Sequence, residues 1–206
     1  MNPESGFDVV YRERYWRLLS PIALALEELM KNQFRDLPHV DRISARAKSP
    51  DRFLAKASKH GSDGQTKYSA PLDQIQDQIG ARIIVFYTSD VVSVSTAVEQ
   101  HYRYIERQQI VPDEVSKFGY SGNHYIVALP SDVVPESTNL EDAPQFFELQ
   151  IKTLWQHAWS EANHDLGYKP SDELSPDQQR RLAFTAAQAW GADRIFEDLI
   201  RENECR

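Results

Sequence analysis

Helical spacing of apolar residues dominates both ends of the chain. Residues 7–36 are predicted to be helical, with a break at Ser20-Pro21, because serine favours the N-cap and proline the first helical position. The apolar residues of this segment that we expect to face a core are Leu24, Leu26, Leu29 and Met30. Two further helices are predicted near the other end, at about residues 153–166 and 175–201.

Alternating or continuous apolar runs predict strands between these helices. Residues 39–48 alternate, and residues 79–87, with the sequence IGARIIVFY, form the nearly continuous run typical of a central strand covered on both faces. Residues 120–129 and 145–152 are predicted to form two more strands. Helices are predicted at residues 50–60 and 91–107. The pattern predicts an α+β fold, with a mixed sheet of about five strands flanked by helices.

The length and composition are those of a folded protein with a substantial core. The chain has 206 residues, of which 41% are hydrophobic and 26% charged, so disorder is excluded as its main state. No segment suggests a division of the chain. We therefore expect one domain over residues 1–206, with a central part at about 40–170 and flanking helices at 7–36 and 175–201.

The cysteine content and the net charge limit the cellular location that we expect and the kind of ligand that the surface can bind. Cys205 is the only cysteine, which argues against a disulfide framework and favours a reducing, cytoplasmic location. The first residues have neither a basic nor an apolar signal region, and no apolar run is long enough to cross a membrane. The net charge of −8 should repel nucleic acid, so a polyanionic ligand must meet a local cluster of cations.

A candidate phosphate site follows from the first strand. Arg46 and Lys48 are two residues apart and therefore project from one face of a strand. Ser49 begins the next helix and offers unpaired backbone N–H groups, and Lys56 lies two turns into that helix. The alternative is an exposed strand edge that carries basic residues for solubility.

A second group of polar residues lies on the strand FFELQIK. Its apolar residues alternate with Glu148, Gln150 and Lys152, which must share the opposite face. Asp77 precedes the apolar strand of residues 79–87, so if the two strands are neighbours, Asp77 and Glu148 could hold one Mg²⁺ ion. The alternative is that Asp77 caps a turn and Glu148 pairs with Lys152.

Arg82 and the segment around Tyr120 complete the candidate residues. An arginine inside a buried strand needs an anion, a stacking partner or a structural ion pair. Tyr120 and His124 fall on one face of the next strand and Lys117 precedes it. A tyrosine ring beside a glycine is an open platform for a flat base, although Tyr120 could equally be a core residue.

Four motifs together resemble the RelA/SpoT synthetase domain. They occur in the family's order and approximate spacing, cover about residues 40–170, and read RAKSP (with a lysine at 56), DQIGARI, FGYSGNH and ELQIKTLWQHAWSEANHDLGYK. The last motif is similar to that of the small alarmone synthetases. The resemblance implies a magnesium-dependent pyrophosphokinase that moves the β,γ-diphosphate of ATP to the 3′-hydroxyl of GDP or GTP, giving (p)ppGpp and AMP.

The resemblance also implies a role for each candidate residue. On the ATP side, the phosphates would be held by Arg46, Lys48, Ser49 and Lys56, and Arg82 would lie against the adenine. Asp77 and Glu148 would bind magnesium, and Glu148 would also accept the proton of the attacking hydroxyl. The acceptor nucleotide would meet the stacking ring of Tyr120 and the polar side chains of Lys117, His124, Gln150 and Lys152.

Departures from the family pattern fall on the acceptor side. The segment Lys117-Phe118-Gly119-Tyr120 is one residue shorter than usual, Gly122 replaces a serine, and Lys152 replaces an arginine. Lysine is the weaker partner for phosphate because it cannot bind in a bidentate manner. The sequence therefore specifies the donor better than the acceptor.

Other functions and partners stay open at this stage. One is a toxic relative that uses an adenosine nucleotide or the 3′ end of tRNA as acceptor and is paired with an antitoxin, although the negative charge disfavours tRNA. Another is a catalytically silent nucleotide-binding module. The terminal helices carry an apolar stripe with Trp190, Phe196 and Leu199, which suggests a homo-oligomer like those of small alarmone synthetases.

Overall fold

A computed structural model describes residues 6–61, 64–114, 117–167 and 174–205. Its helices are α1 (Gly6–Arg14), α2 (Ser20–Gln33), α3 (Pro50–Ala57), α4 (Pro71–Gln74), α5 (Thr88–His101), α6 (Leu154–Gly167) and α7 (Pro176–Glu204). Its strands are β1 (Val40–Ala47), β2 (Ile79–Val85), β3 (Tyr104–Ile110), β4 (Gly122–Ala128) and β5 (Phe146–Thr153). No helix within the described ranges is long and apolar enough to cross a membrane.

The five strands form one mixed sheet in the order β1-β2-β5-β4-β3. Strands β2 and β5 are parallel, and the other neighbouring pairs are antiparallel. The prediction of an α+β fold with a five-stranded mixed sheet and flanking helices is therefore confirmed. The register places Gln150 between Arg82 on one side and His124 on the other, so three candidate residues stand in one row across the sheet.

Strands β2 and β5 have the apolar core on one face of the sheet and polar side chains on the other. Phe147, Leu149 and Ile151 of β5 are fully buried, as their alternation predicts. They belong to one apolar cluster that also includes residues of α2 and α5. The alternate side chains of β5 point to the other face, where Arg82 of the neighbouring strand forms an ion pair with Glu161 of α6.

Three predictions about the elements are wrong. The chain does not break at Ser20-Pro21, because residues Tyr15–Leu19 form a π-helical segment that runs directly into α2. Leu24 does not face the core and is 66% exposed, whereas Leu26 and Met30 are fully buried. The helix predicted at residues 91–107 ends at His101, and the chain continues as the edge strand β3, whose residues are almost all exposed. An exposed strand lacks the apolar alternation by which strands are recognised.

Candidate active site

A cleft of about 790 Å³ opens on the polar face of the sheet, beside β1, β2 and β5. Among the described residues, six lysine or arginine side chains line it, together with the carboxylates of Asp77 and Glu148. The six cations are Arg46, Lys48, Arg52, Lys56, Lys59 and Arg82. A chain with a net charge of −8 thus places six of its 23 lysine and arginine residues at one concave site, which is the arrangement that a polyanionic ligand requires.

Asp77 lies at the centre of the cationic side of the cleft. It precedes β2, and its Oδ2 atom forms an ion pair with Lys48 Nζ at 2.9 Å and accepts a hydrogen bond from Lys56 Nζ at 3.0 Å. The backbone N–H of Lys48 donates to the carbonyl oxygen of Gln78 at 2.8 Å, which fixes the end of β1 beside Asp77. The other carboxylate oxygen of Asp77 is buried and has no hydrogen-bond partner among the described residues.

Glu148 is held as an ionised carboxylate at the edge of the same cleft. Burial alone would raise its pKa, but hydrogen bonds from His124 and Gln150 and the charge of Lys48 lower the pKa to about 2. His124 Nδ1 donates to Glu148 Oε1 at 2.9 Å. The side chain is therefore negatively charged at any physiological pH.

A chain of hydrogen bonds extends from Glu148 to Tyr120. Burial raises the pKa of Tyr120, and its hydroxyl forms a hydrogen bond with His124 Nε2 at 2.5 Å. The Nδ1 atom of the same ring faces Glu148, so His124 joins Tyr120 to the carboxylate. Tyr120 and His124 are thus brought to Glu148, on the side away from the cationic cleft.

Lys152 lies under the Tyr120 ring and not beside Glu148. Its Nζ atom is 4.6 Å from the ring centre and donates to Ser160 Oγ at 3.3 Å. Burial and the nearby charge of Arg82 lower the pKa of Lys152 to about 8. The alternative of a Glu148–Lys152 ion pair is therefore wrong in this structure, because each of the two residues has another partner.

Gly122 explains how Tyr120 reaches His124. A Cβ atom at position 122 would lie 2.9 Å from the Tyr120 hydroxyl oxygen, closer than side-chain carbons approach other atoms. The glycine that departs from the family pattern therefore provides the space for the tyrosine hydroxyl.

Arg82 is half-buried and forms a structural ion pair, one of the alternatives that its sequence position left open. Arg82 Nη1 lies 2.7 Å from Glu161 Oε1, and the Arg82 side chain still lines the cleft. Burial, followed by the charges of Arg82 and Arg52, lowers the pKa of Arg46. This crowding of cations is unfavourable by itself and is relieved when an anion binds.

The structure separates the predicted residues into two groups. Among the described residues, the cleft lining includes three sets of predicted residues: the ATP ligands Arg46, Lys48, Ser49, Lys56 and Arg82, the magnesium ligands Asp77 and Glu148, and Gln150, which was predicted to face the acceptor. Tyr120, His124 and Lys152 form the adjoining cluster described above. Lys117 is exposed and pairs with Glu114 at 2.6 Å, so it does not reach the other acceptor-side residues in this state.

Sequence reasoning missed several residues of the cleft. Arg52, Lys59 and His164 line it, and Glu161 pairs with Arg82. The spacing of residues 52, 56 and 59 follows one face of a helix and could have indicated the first two. The pairing of Glu161 with Arg82 has no local signal. Tyr168 and Lys169, at the end of the last motif, lie outside the described residues.

The carboxylate oxygens in the cleft are suitable ligands for a hard divalent cation. The unpaired buried oxygen of Asp77 and the ionised carboxylate of Glu148 are both of the type that Mg²⁺ prefers. The described residues contain no cluster of three or more His, Cys, Asp or Glu side chains suited to a metal. An ion here would therefore be held by one or two carboxylates and the phosphates of a substrate, which is common for Mg²⁺.

Comparison with known proteins decides the family. The sequence profile for a region found in RelA / SpoT proteins matches residues 45–173, more than half of the chain. The chain belongs to the RelA/SpoT family.

Two curated relatives of this RelA/SpoT protein come from Bacillus subtilis (strain 168). It is 24% identical to the GTP pyrophosphokinase YjbM over 202 residues, which cover 91% of this chain and 88% of YjbM. It is also 24% identical to the GTP pyrophosphokinase YwaC over 139 residues, which cover 66% of this chain and 61% of YwaC. The match therefore spans less than two thirds of YwaC.

A solved structure has the same fold. The crystal structure of small alarmone synthetase 1 from Bacillus subtilis superposes with a TM-score of 0.76 at 19% identity, covering 97% of this chain and 100% of that one. The RelA/SpoT fold thus extends to the flanking helices of this chain.

Proposed function

We propose that this protein is a GTP pyrophosphokinase, a (p)ppGpp synthetase that uses ATP as donor and releases AMP. The observation that carries the proposal is the cationic cleft, which also contains the carboxylates of Asp77 and Glu148. The family match and two relatives named GTP pyrophosphokinase support the same class of enzyme.

The cations of the cleft suit the triphosphate of ATP. Arg46, Lys48, Ser49 and Lys56 would bind its phosphates, and Lys48 and Lys56 already surround Asp77. Arg82 would lie against the adenine while its ion pair with Glu161 fixes the guanidinium plane. Transfer of a phosphoryl group depends mainly on such positioning and charge neutralisation.

Asp77 and Glu148 would hold Mg²⁺ together with the substrate phosphates. The ion would neutralise phosphate charge as it develops during transfer. Lys48 and Lys56 pair with Oδ2 of Asp77 and leave its second oxygen unpaired, so this carboxylate retains one ligand atom.

The acceptor would bind on the other side of Glu148. The 3′-hydroxyl oxygen attacks the β-phosphorus of ATP, the bond from that phosphorus to the α,β-bridging oxygen breaks, and AMP leaves. Glu148 would accept the hydroxyl proton, and its low pKa makes it a weak base, which suffices where positioning dominates. Tyr120 would stack on the base, Gln150 would face the nucleoside, and Lys117, His124 and Lys152 would meet the acceptor nucleotide.

Mass analysis of products tests the proposal. The pure protein is incubated with ATP, Mg²⁺ and one acceptor at a time, using GDP, GTP, an adenosine nucleotide or tRNA. We expect GDP or GTP to gain a diphosphate while AMP accumulates. Transfer to only an adenosine nucleotide or tRNA would replace the proposed acceptor, and the absence of any transfer would contradict the proposed enzyme class.

A further inference from the structure

The segment that precedes Tyr120 is attached to the last helix through one pair of aromatic rings. Phe118 contacts Trp190 of α7 with ring centroids 5.8 Å apart and an interplanar angle of 61°. This edge-to-face arrangement is the favourable one for two aromatic rings. Phe118 lies directly after Lys117 and two residues before Tyr120, both candidate acceptor ligands.

Helix α7 is itself fixed to the end of the sheet close to Trp190. Asp193, one turn further along the helix, is buried and accepts from Thr153 Oγ1 of β5 at 2.9 Å. Glu197, another turn on, is also buried and accepts from the backbone N–H of Ser89 at the start of α5, at 2.9 Å. These two carboxylates hold the helix against α5 and against β5, the strand that carries Glu148 and Gln150.

Two side chains contact the indole ring of Trp190 and limit its position. The Arg194 guanidinium lies 5.5 Å from the centre of its ring, and Phe118 meets the same side chain. Trp190 thus stands on an anchored helix and offers a fixed contact to a segment that is otherwise without secondary structure.

We propose that Trp190 is a positioning residue which, through Phe118, holds residues 117–120 in place for the acceptor nucleotide. The proposal rests on the proposed function for its reference to an acceptor. Trp190 is not placed in contact with substrate. Its effect is to reduce the number of conformations that Lys117 and Tyr120 must lose when the acceptor binds.

The contact can be removed without damage to the core. Phe118 and Trp190 are 42% and 54% exposed, so truncating either ring leaves no buried cavity. Phe184 is also exposed on α7, at 64%, and provides a matched control on the same helix.

Steady-state kinetics tests the effect on the acceptor. We expect Trp190→Ala to raise the acceptor KM about twofold to tenfold, the range for loss of one aromatic pair, while the ATP KM and kcat change little. Trp190→Phe should restore the acceptor KM, and Phe184→Ala should not raise it. Because both variants break the same contact, combining Phe118→Ala with Trp190→Ala should add nothing to either change alone.

Limited trypsin digestion tests the attachment without any enzyme assay. Trypsin cleaves after Lys117, and mass spectrometry follows cleavage of the Lys117–Phe118 bond in the native protein. We expect Trp190→Ala to accelerate this cleavage about twofold to tenfold, because local opening controls its rate, whereas Trp190→Phe and Phe184→Ala should cleave like the wild type.

Each outcome bears on the proposal in a defined way. Unchanged cleavage in Trp190→Ala, or equal losses for ATP and acceptor, would overturn it. Faster cleavage with an unchanged acceptor KM would also overturn it, since the attachment would then have no role in binding. Leu199→Ala changes a residue of the apolar stripe that is remote from Phe118 in sequence. If this variant alters the assembly state and accelerates cleavage as much as Trp190→Ala does, assembly and not Trp190 holds the segment. If the wild type transfers to no nucleotide, the proposed function fails, and the digestion still decides whether Trp190 holds residues 117–120.

Discussion

The Lys152 ammonium group lies 4.6 Å from the centre of the Tyr120 ring, so the cation covers one face of the aromatic side chain. A cation in this position attracts the ring and fixes its orientation. The lysine that replaces the family's arginine therefore supports the side chain proposed to bind the acceptor base. The structure assigns Lys152 a contact with Tyr120 in addition to its expected place near the acceptor.

Replacing Tyr120 by alanine should weaken acceptor binding selectively. Loss of stacking costs roughly 1 to 3 kcal/mol, which corresponds to about a tenfold to hundredfold loss of acceptor affinity. Titration calorimetry with each nucleotide should find little change for ATP, and Tyr120→Phe should retain most of the acceptor affinity because it keeps the ring. Equal losses for both nucleotides together with a large drop in melting temperature would make Tyr120 a structural residue.

Restoring the family's serine at position 122 should impair this protein. The Cβ of Gly122→Ser would approach the Tyr120 hydroxyl oxygen to 2.9 Å, so the ring must move and its hydrogen bond to His124 must weaken. We expect acceptor affinity to fall about tenfold, on the order of one hydrogen bond, while ATP affinity is retained. Gly191→Ala is the control, because a Cβ at that position meets no atom within 4 Å. Full acceptor affinity in Gly122→Ser would contradict this account.

Removing either proposed magnesium ligand should abolish transfer and leave the fold intact. Asp77→Asn and Glu148→Gln each preserve side-chain size but remove a charged ligand, so the developing phosphate charge is less well neutralised. Product formation is measured by mass analysis, and circular dichroism checks folding. Asp73→Asn changes an exposed carboxylate of α4 and should retain activity. Near-normal turnover in Asp77→Asn or Glu148→Gln would make the metal assignment wrong.

Local patterns in the sequence could predict the strands that bury one or both faces. The alternation of Phe147, Leu149 and Ile151 specified both the strand and the face on which Glu148 lies. Strand β3 was missed because its side chains are exposed on both faces, and its charged residues suit the end of a helix equally well. The single-domain organisation stays a prediction.

Residues of the candidate site were easier to predict than their partners. Motifs indicated Arg82, Tyr120 and Lys152, since these residue types are unusual or informative where they occur. Their partners depend on the packing of distant segments: Glu161 reaches Arg82 only after α6 covers β2, and Trp190 reaches Phe118 only after α7 docks. Pair geometry of this kind has no local sequence signal.

The apolar face of α7 should support a homo-oligomer. Phe196 and Leu199 are 43% and 49% exposed, and such a row of apolar side chains is unfavourable in water. Light scattering should give a mass above that of one chain, and Leu199→Asp should reduce it because a charge would enter the interface. A wild type that remains a monomer at high concentration would contradict the prediction.

Asp193 should make the protein less stable as the pH rises from about 4 to 6. Burial raises its pKa from the ordinary 3.8 to about 6, although Thr153 and Gln156 donate hydrogen bonds to it. Between these values the folded state holds a proton that the unfolded state has lost, so the free energy of unfolding falls with pH. The difference of about 2 pKa units corresponds to at most about 3 kcal/mol.

The variant Asp193→Asn tests this sign directly. Asparagine can still accept from Thr153 Oγ1 but carries no charge to bury. Its melting temperature should match that of the wild type near pH 4 and exceed it by a few degrees at pH 7. Glu197→Gln should show the opposite trend, because hydrogen bonds from Ser89, Thr88 and Arg201 outweigh burial and lower the pKa of Glu197. The Glu197 carboxylate stabilises the fold above its unfolded pKa and loses this effect as the pH falls. If the difference in melting temperature between either variant and the wild type did not change with pH, the carboxylate at that position would not titrate as described.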